Sequence, residues 1–281
     1  MFDRISNSWA LAKASWAVLR ADKELIVFPI VSFIAAIVVT ISFIIPFAVS
    51  GLFAGLAERQ SGVEVTTVVI TFLFYLVQYT VIFFCNTALV GAALIRLRGG
   101  DPTVRDGFRI ASQRFGSIVG YALIASTVGM ILRWIRERGI LGQIAAGLFG
   151  LAWNIATYLV VPVLVIENVG PIEAVKRSTA LLKKTWGEQI VGNIGIGAVF
   201  GLLTFLIILL AIPLFIAVAA TKSAAVIIFA VVLFVVALIG ISLIGATLNG
   251  IYTAAVYQYA AEGSGGSYFE EDQIKSAFRA K

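Results

Sequence analysis

The 281-residue sequence contains no histidine and a single cysteine, Cys85. Without an imidazole and with one thiol, the chain can form no intrachain disulfide, no Cys–His dyad, no Ser–His–Asp triad and no imidazole metal site. All 15 Asp and Glu residues lie outside the long apolar runs, so no carboxylate is available for a proton relay inside a membrane. We therefore predict no catalytic residue, no metal, no cofactor and no enzymatic turnover.

Charged residues are also scarce. They make up 13% of the chain, whereas hydrophobic residues make up 60% and the mean hydropathy is +1.01. A soluble core of this size cannot bury so much apolar surface, so the surrounding solvent must be lipid, in which a crossing helix needs about 20 apolar residues. The sequence predicts an all-α membrane domain over 1–261, with six transmembrane helices at about 26–50, 65–95, 116–132, 140–166, 190–219 and 224–260.

Lys and Arg are unevenly distributed between the connections of these spans. Of the 21 basic residues, 16 lie in segments 1–24, 96–114, 167–188 and 262–281, and five lie in the alternate connections. Cytoplasmic loops carry an excess of Lys and Arg, so both termini are expected in the cytoplasm.

The N-terminal segment 3–23 has the spacing of an amphipathic helix. Its apolar residues recur at four- and three-residue steps: Ile5, Trp9, Ala12, Trp16 and Leu19. Tryptophan on such a face is typical of a helix in the lipid headgroup region, so Trp9 and Trp16 are predicted interfacial anchors. The alternative is a core helix that packs on a partner.

Two further amphipathic helices are predicted on the same side of the membrane, at 101–115 and 171–186. In the first, Asp101 is the predicted N-cap, Pro102 the first helical residue and Phe108 an interfacial anchor. The apolar faces are Val104, Phe108, Ala111 and Phe115 in the first helix, and Ile172, Val175, Thr179, Leu182 and Trp186 in the second. The two segments align from their prolines, which indicates an internal repeat.

Four basic residues flank the apolar face of the helix at 171–186, and Trp186 marks its end. The four are Lys176, Arg177, Lys183 and Lys184. They fit the binding of anionic phospholipid headgroups or of an acidic partner protein, and they fit equally well a role in setting topology alone. Basic residues are spread among several membrane-edge helices rather than gathered in one patch, so no nucleic-acid partner is predicted.

Five amide side chains fall inside the predicted spans: Gln78, Asn86, Asn154, Asn193 and Asn249. An amide in hydrocarbon needs a partner, because leaving it unpaired costs on the order of 2 kcal/mol or more. Hydrogen bonds between helices are one interpretation. A narrow polar pathway for a small uncharged solute is the other, and the spacing of the amides does not select between them.

Residues 262–281 follow the last span. The Ser- and Gly-rich part, 262–267, predicts a flexible linker. The remainder predicts a short tail helix whose apolar contacts are Phe269, Ile274 and Phe278. We interpret this segment as a docking or interfacial tail rather than a domain.

Three segments carry a family resemblance: RADKELIVFP at 20–29, ENVGPIEAVKRSTALLKKTWG at 167–187 and the closing FEEDQIKSAFRAK. They resemble an uncharacterised family of bacterial multi-pass membrane proteins, a domain-of-unknown-function family, over essentially the whole chain. The central segment is also similar to the membrane domain that accompanies some glycerophosphodiester phosphodiesterases. The resemblance implies a helical bundle in the bacterial inner (plasma) membrane and assigns no catalytic residue.

Together these patterns favour a non-enzymatic integral membrane protein. It would act as a scaffold, a lipid-interacting bundle or a subunit of a larger complex, with membrane lipids, other membrane proteins or a second copy as partners. The alternative is a transporter or channel for a small neutral solute. Transporters commonly contain broken helices near the bilayer midplane, and Pro46 and Pro213 are the prolines inside the apolar runs and away from their ends.

Overall fold

The fold of the chain comes from a computed structural model that describes residues 2–49, 65–186, 196–264, 266–270 and 274. It confirms the predicted all-α fold class. The elements are α1 (Phe2–Ala21), a 3₁₀ helix (Lys23–Ile26), α2 (Val27–Val49), α3 (Val65–Leu97), α4 (Val104–Gln113), α5 (Phe115–Arg136), α6 (Gly139–Ala156), α7 (Val160–Ile166), α8 (Pro171–Trp186), α9 (Ile196–Ala220) and α10 (Ala224–Glu262). Asn193 and Phe278 lie outside the described residues.

Within the described residues, six helical segments are long and apolar enough to cross a membrane. They are Lys23–Pro46, Val65–Leu97, Phe115–Arg136, Gly139–Ile166, Leu203–Ala220 and Ala224–Glu262. Each predicted span overlaps one of these segments. The chain is therefore a multi-pass membrane protein.

Two of the helices are longer than a bilayer requires. α3 has 33 residues and α10 has 39, which correspond to lengths of about 50 and 58 Å against a hydrocarbon core of about 30 Å. The exposed large apolar side chains of α3 lie between Val65 and Ile82, and its buried ones lie after residue 84. In α10 the large apolar side chains are exposed up to Val236, and buried residues begin at Thr247. The C-terminal part of each helix is thus apolar because it is buried in protein.

The chain divides into two compact units, of which the first comprises 1–26, 93–102 and 186–281. Here α1 packs against α9 and α10, and the 3₁₀ helix contacts α1 and α10. The buried residues of this unit include Leu11, Val18 and Leu19 of α1, and Ile251, Ala254, Ala255 and Val256 of α10. One side of α1 is therefore part of a protein core.

The segment that follows α10 is described in part. α10 ends at a glycine cap, Gly263, whose φ of 81° lies in the left-handed region that glycine adopts without strain. Phe269 and Ile274, two of the three predicted apolar contacts of the tail, are buried. Arg98 and Glu262 form an ion pair. Phe269 and Ile274 are therefore packed against protein, and the docking-tail interpretation stays a prediction.

The second unit comprises 27–92 and 103–185. Its α5 and α6 pack against each other, and they are joined by a short turn in which Gly139 has a φ of 86°. The amide of Gln78 in α3 donates a hydrogen bond of 3.4 Å to the carbonyl oxygen of Ala36 in α2. The Phe43 ring of α2 also contacts the Phe74 ring of α3, with 5.4 Å between the centroids.

The start of α4 differs from the sequence prediction. Thr103, not Asp101, is the N-cap, and Pro102 precedes the helix rather than opening it. The Thr103 hydroxyl accepts a hydrogen bond of 3.2 Å from the amide of Asp106, whose carboxylate accepts one of 3.0 Å from the Thr103 amide. This reciprocal capping box satisfies two amides at once, whereas an aspartate N-cap alone would satisfy one.

A glycine places α4 against the start of α2. A Cβ added at Gly107 would lie 2.4 Å from Cζ of Phe28 and 2.7 Å from the carbonyl oxygen of Ala88, so no larger residue fits without displacement. The neighbouring Phe108 ring lies edge-on to Phe28, with 5.2 Å between centroids. Close contact of backbone and ring thus fixes this amphipathic helix on the bundle.

Candidate functional site: a basic helix at a break in the fourth span

The fourth predicted span is interrupted. α6 ends at Ala156 and α7 begins at Val160, so three residues between them leave the regular helix. The backbone amide of Leu159, within this break, donates a hydrogen bond of 3.0 Å to Oγ of Ser178 in α8. The Thr179 hydroxyl lies 3.4 Å from the carbonyl oxygen of Ala156 as well as 2.9 Å from that of Val175 in its own helix. Two side chains of α8, those of Ser178 and Thr179, therefore contact the backbone at the break.

The turn from α7 into α8 is held by polar contacts on both sides. Nε of Arg177 donates to both carboxylate oxygens of Glu167, at 3.0 and 2.8 Å. Asn168, with a φ of 50°, accepts a hydrogen bond from the guanidinium of Arg114. Glu167 is the C-cap of α7, so these contacts hold the end of that helix.

The buried face of α8 differs from the predicted one. Its buried residues are Ala174, Ser178, Leu181 and Leu182. Of the predicted apolar face, Ile172 is 64% exposed and Thr179 is exposed, while Leu182 is buried and Val175 partly so. The small residues Ala174 and Ser178 permit close approach to the neighbouring helix, and this packing outweighs the hydrophobicity of Ile172.

The four basic residues predicted on α8 fall into two classes. Arg177 forms an ion pair with Glu167. Lys176 lies 3.9 Å from Glu173 on the same helix, and the side chains of Lys176 and Glu173 are largely exposed. Lys183 and Lys184 are exposed. Among the residues that the structure describes, neither has an ion-pair partner. The sequence could not make this distinction, because Glu167 and Arg177 are ten residues apart across a turn.

The predicted residue Trp186 is the last residue of α8. Its side chain lies outside the part of the chain that the structure describes. Its role as an interfacial marker stays a prediction.

The interfacial anchors predicted on α1 and α4 lie in different environments. Trp9 and Trp16 are 54% and 42% exposed, and Nζ of Lys13 lies 5.8 Å from the Trp9 ring centroid. Ser8 and Ser15, which are not part of the predicted apolar face, are buried. The two tryptophans therefore share the outer side of α1 with the basic residues.

Phe108 does not stand on an open surface. Its ring packs on Phe28 and on Phe84, with centroids 5.2 and 6.1 Å apart. It is partly buried and serves to dock α4 on α2 and α3. Its contacts account for the residue without a lipid-facing role.

The predicted amides do not share one environment. Gln78 makes the interhelical hydrogen bond to Ala36, and Asn86 on the same helix is partly buried. Asn154 in α6 and Asn249 in α10 are exposed on the surfaces of their units. The interhelical interpretation is thus supported for Gln78, and exposure of Asn154 and Asn249 does not favour an enclosed pathway.

The sequence analysis missed a row of aromatic rings along α3. Tyr75, Tyr79 and Phe83 stack at 6.1 and 5.6 Å between successive centroids, and Phe83 lies 4.6 Å from Tyr121 of α5. Their spacing of four residues was the available signal. The guanidinium of Arg133 lies 3.4 Å from the Tyr75 hydroxyl at the other end of α5. Through Phe83, this row of rings contacts α5.

Comparison with known proteins gives one family. No curated protein matches the chain. No link to the glycerophosphodiester phosphodiesterases is found, so that part of the resemblance has no support. The model of a family of unknown function, DUF6159, matches residues 65–268, which is most of the chain. The protein belongs to the DUF6159 family.

Proposed function

We propose that this protein is a non-enzymatic scaffold of the bacterial inner membrane, with both termini in the cytoplasm, and that α8 binds anionic phospholipid headgroups. The observation that carries the proposal is the exposed pair Lys183 and Lys184 on a helix whose opposite side is fixed to the bundle. Positive charge beside a membrane attracts acidic lipids, and the attraction falls with rising salt.

Contacts with its own unit hold α8 in place, so its exposed side is a fixed surface rather than a mobile basic loop. Ser178, Leu181 and Leu182 are buried, and Arg177 is held by Glu167. A helix fixed in this way presents its outward lysines at defined positions, so fewer rotatable bonds must be ordered when a headgroup binds. Arg177 then acts as a structural residue, and Lys183 and Lys184 are the proposed lipid contacts.

The experiment replaces the two lysines in the full-length chain. K183Q/K184Q, purified in mild detergent, should retain less anionic phospholipid than wild type, as measured by lipid mass spectrometry, and its retained lipid should depend less on salt. The matched control is R136Q/K222Q, which removes the same charge from exposed residues in other connections. Equal retention by wild type and K183Q/K184Q, with unchanged circular dichroism, would refute the proposed contacts.

The proposal includes the absence of intrinsic hydrolase, transferase or redox activity. It rests on the side-chain inventory, since the chain has no histidine and its one thiol, Cys85, is buried. Nucleophilic and acid–base catalysis need groups that attack substrate or change charge at the reaction centre. Turnover of any substrate by the purified wild-type protein would overturn this part of the proposal.

A further inference from the structure

α1 has two chemically distinct sides in its own unit. The side that packs against the unit contains Ser8, Leu11, Ala12, Ser15, Val18 and Leu19, all buried. The outer side contains Trp9, Lys13, Trp16 and Arg20, all exposed. These four recur at steps of four, three and four residues, so they form one continuous stripe along the helix. The stripe combines two indoles with two cations.

An open groove of about 530 Å³ lies along the C-terminal half of this stripe. Lys13, Trp16 and Arg20 line it together with the small residues Ala17 and Ala21. Lys13 and Arg20 are seven residues apart, or about 10.5 Å along the helix axis. Ala17 lies between them, so two long cationic side chains flank a space that no large side chain fills.

The acidic residues that follow α1 are Asp22, which is buried, and Glu24, which is exposed. Among the described residues, Lys13 and Arg20 form no ion pair. Oδ1 of Asp22 accepts a hydrogen bond of 3.2 Å from the amide of Glu24. The groove therefore presents two positive charges to whatever lies outside the helix.

α1 directly precedes a membrane-crossing helix in the chain. Arg20 precedes Val27, the first residue of the membrane-crossing helix α2, by seven residues. Along the chain, α1 therefore leads directly into a membrane-crossing helix, and tryptophan is enriched at the interface where lipid phosphates lie. A soluble anion would not use the indole of Trp16, whereas a lipid offers a phosphate to the two cations and acyl carbons to the ring.

We propose that the groove formed by Lys13, Trp16 and Arg20 binds the phosphate of an anionic phospholipid. This extends the proposed lipid-binding function to a second site, on a different unit of the chain from Lys183 and Lys184. Lys13 and Arg20 contact the phosphate over Ala17, and Trp16 packs on the glycerol and upper acyl chain. Binding at this site fixes α1 on the membrane surface.

The test is a titration of the full-length protein with phosphatidylglycerol, and separately with phosphatidylcholine, followed by native mass spectrometry. Wild type should prefer phosphatidylglycerol, and K13Q/R20Q should lose roughly tenfold in affinity for it. W16A keeps both charges and should lose affinity for both lipids, because the ring contacts glycerol and acyl carbons. K183Q/K184Q should keep the groove and lose binding at α8 only, and the quadruple variant should lose both.

Three outcomes would overturn the proposal. One is unchanged phosphatidylglycerol affinity in K13Q/R20Q with wild-type circular dichroism and thermal unfolding. Another is displacement of the lipid by millimolar inorganic phosphate, which would assign the groove to a soluble anion. The last concerns the two pairs of substitutions together. If K13Q/R20Q lowers the affinity for phosphatidylglycerol in the wild-type protein but not in K183Q/K184Q, the four cations belong to one site rather than two. Loss in K183Q/K184Q alone would support the proposed function and refute this site.

Discussion

The side chain of Ser178 accepts a hydrogen bond from the backbone amide of Leu159, at the break between α6 and α7, with 3.0 Å between the two atoms. Both residues have no exposed surface. A backbone amide at a helical break lacks the carbonyl partner that a regular helix would give it. Inside lipid or protein, no water is present to accept its hydrogen bond instead. A serine on α8 thus satisfies the backbone of the span beside it.

This relationship predicts that Ser178→Ala destabilises the protein. Removing the hydroxyl leaves the buried amide of Leu159 unsatisfied, at a cost of about 1–3 kcal/mol. Thermal or denaturant unfolding in one detergent measures the change. The control is Thr127→Ala in α5, whose exposed hydroxyl bonds to Leu123 of its own helix, and a surface change of this kind is expected within about 0.5 kcal/mol of wild type. Equal stability of wild type and Ser178→Ala would refute the role of Ser178.

A second prediction concerns Gly107. Gly107→Ala introduces a Cβ within 2.4 Å of the Phe28 ring, so α4 must move away from α2. Overpacking of this kind costs about 1–3 kcal/mol. Gly116→Ala is the matched control, because a Cβ there meets no atom within 4 Å. If the two variants unfold at the same temperature, the close approach at Gly107 is not a constraint on the fold.

The capping box of α4 predicts a pH dependence. Hydrogen bonds from the Thr103 hydroxyl and from its backbone amide hold the pKa of Asp106 below its ordinary value of 3.8. Because the folded carboxyl binds its proton less readily than the unfolded one, its contribution is fully present above pH 3.8 and is lost as the pH falls through the folded pKa. Unfolding measured from about pH 6 downward should show this loss in wild type.

Two variants test the origin of that loss. Asp106→Asn cannot titrate at this position, so the acid-dependent part of the wild-type curve should become smaller. Thr103→Ala removes the hydroxyl bond, so the pKa of Asp106 should rise toward its ordinary value, as observable by carboxyl NMR. Acid curves that are identical in wild type and Asp106→Asn would contradict the assignment.

Topology is tested by thiol labelling in intact cells. Cys85 is 4% exposed and is the sole cysteine, so a Cys85→Ala background carries no other thiol. Cysteines placed at Ser61 and Ser223 should react with an impermeant reagent added outside, and one at Ser267 should react only after the cells are permeabilised. Labelling at Ser267 from outside would reverse the orientation inferred from the Lys and Arg distribution.

The all-α class and the six membrane-crossing segments of the described residues could be predicted from the sequence, because runs of about 20 apolar residues have few alternatives in lipid. Their bounds were harder to predict. The apolar residues from Cys85 to Leu97 resemble a span by hydropathy but are buried against protein. Hydropathy measures how strongly a side chain avoids water. It does not distinguish lipid from a protein core, because both exclude water.

The faces of the amphipathic helices were predicted less well, for a related reason. The predicted apolar face of α1 joined the two tryptophans to Ala12 and Leu19, yet the tryptophans are exposed while Ala12 and Leu19 are buried. On α8, Ile172 is exposed and Ser178, which was not on the predicted face, is buried. In a helical membrane protein, close packing selects small residues, and large apolar ones can face lipid. The pairing of Arg177 with Glu167 was also beyond sequence reasoning, since it depends on how the chain turns between α7 and α8.

The central claim, that the lysines of α8 lie at a membrane surface, is tested most directly by the depth of a spin label. A nitroxide on Lys184→Cys in the Cys85→Ala background, reconstituted in vesicles containing phosphatidylglycerol, reports its depth through relative accessibility to oxygen and to a water-soluble nickel complex. A label at Ile144, exposed within α6, gives the hydrocarbon reference, and one at Ser267 gives the aqueous reference. The account predicts that the Lys184 label lies at headgroup depth, between these two. Accessibility equal to that of the Ser267 label would place α8 in bulk water and contradict the account.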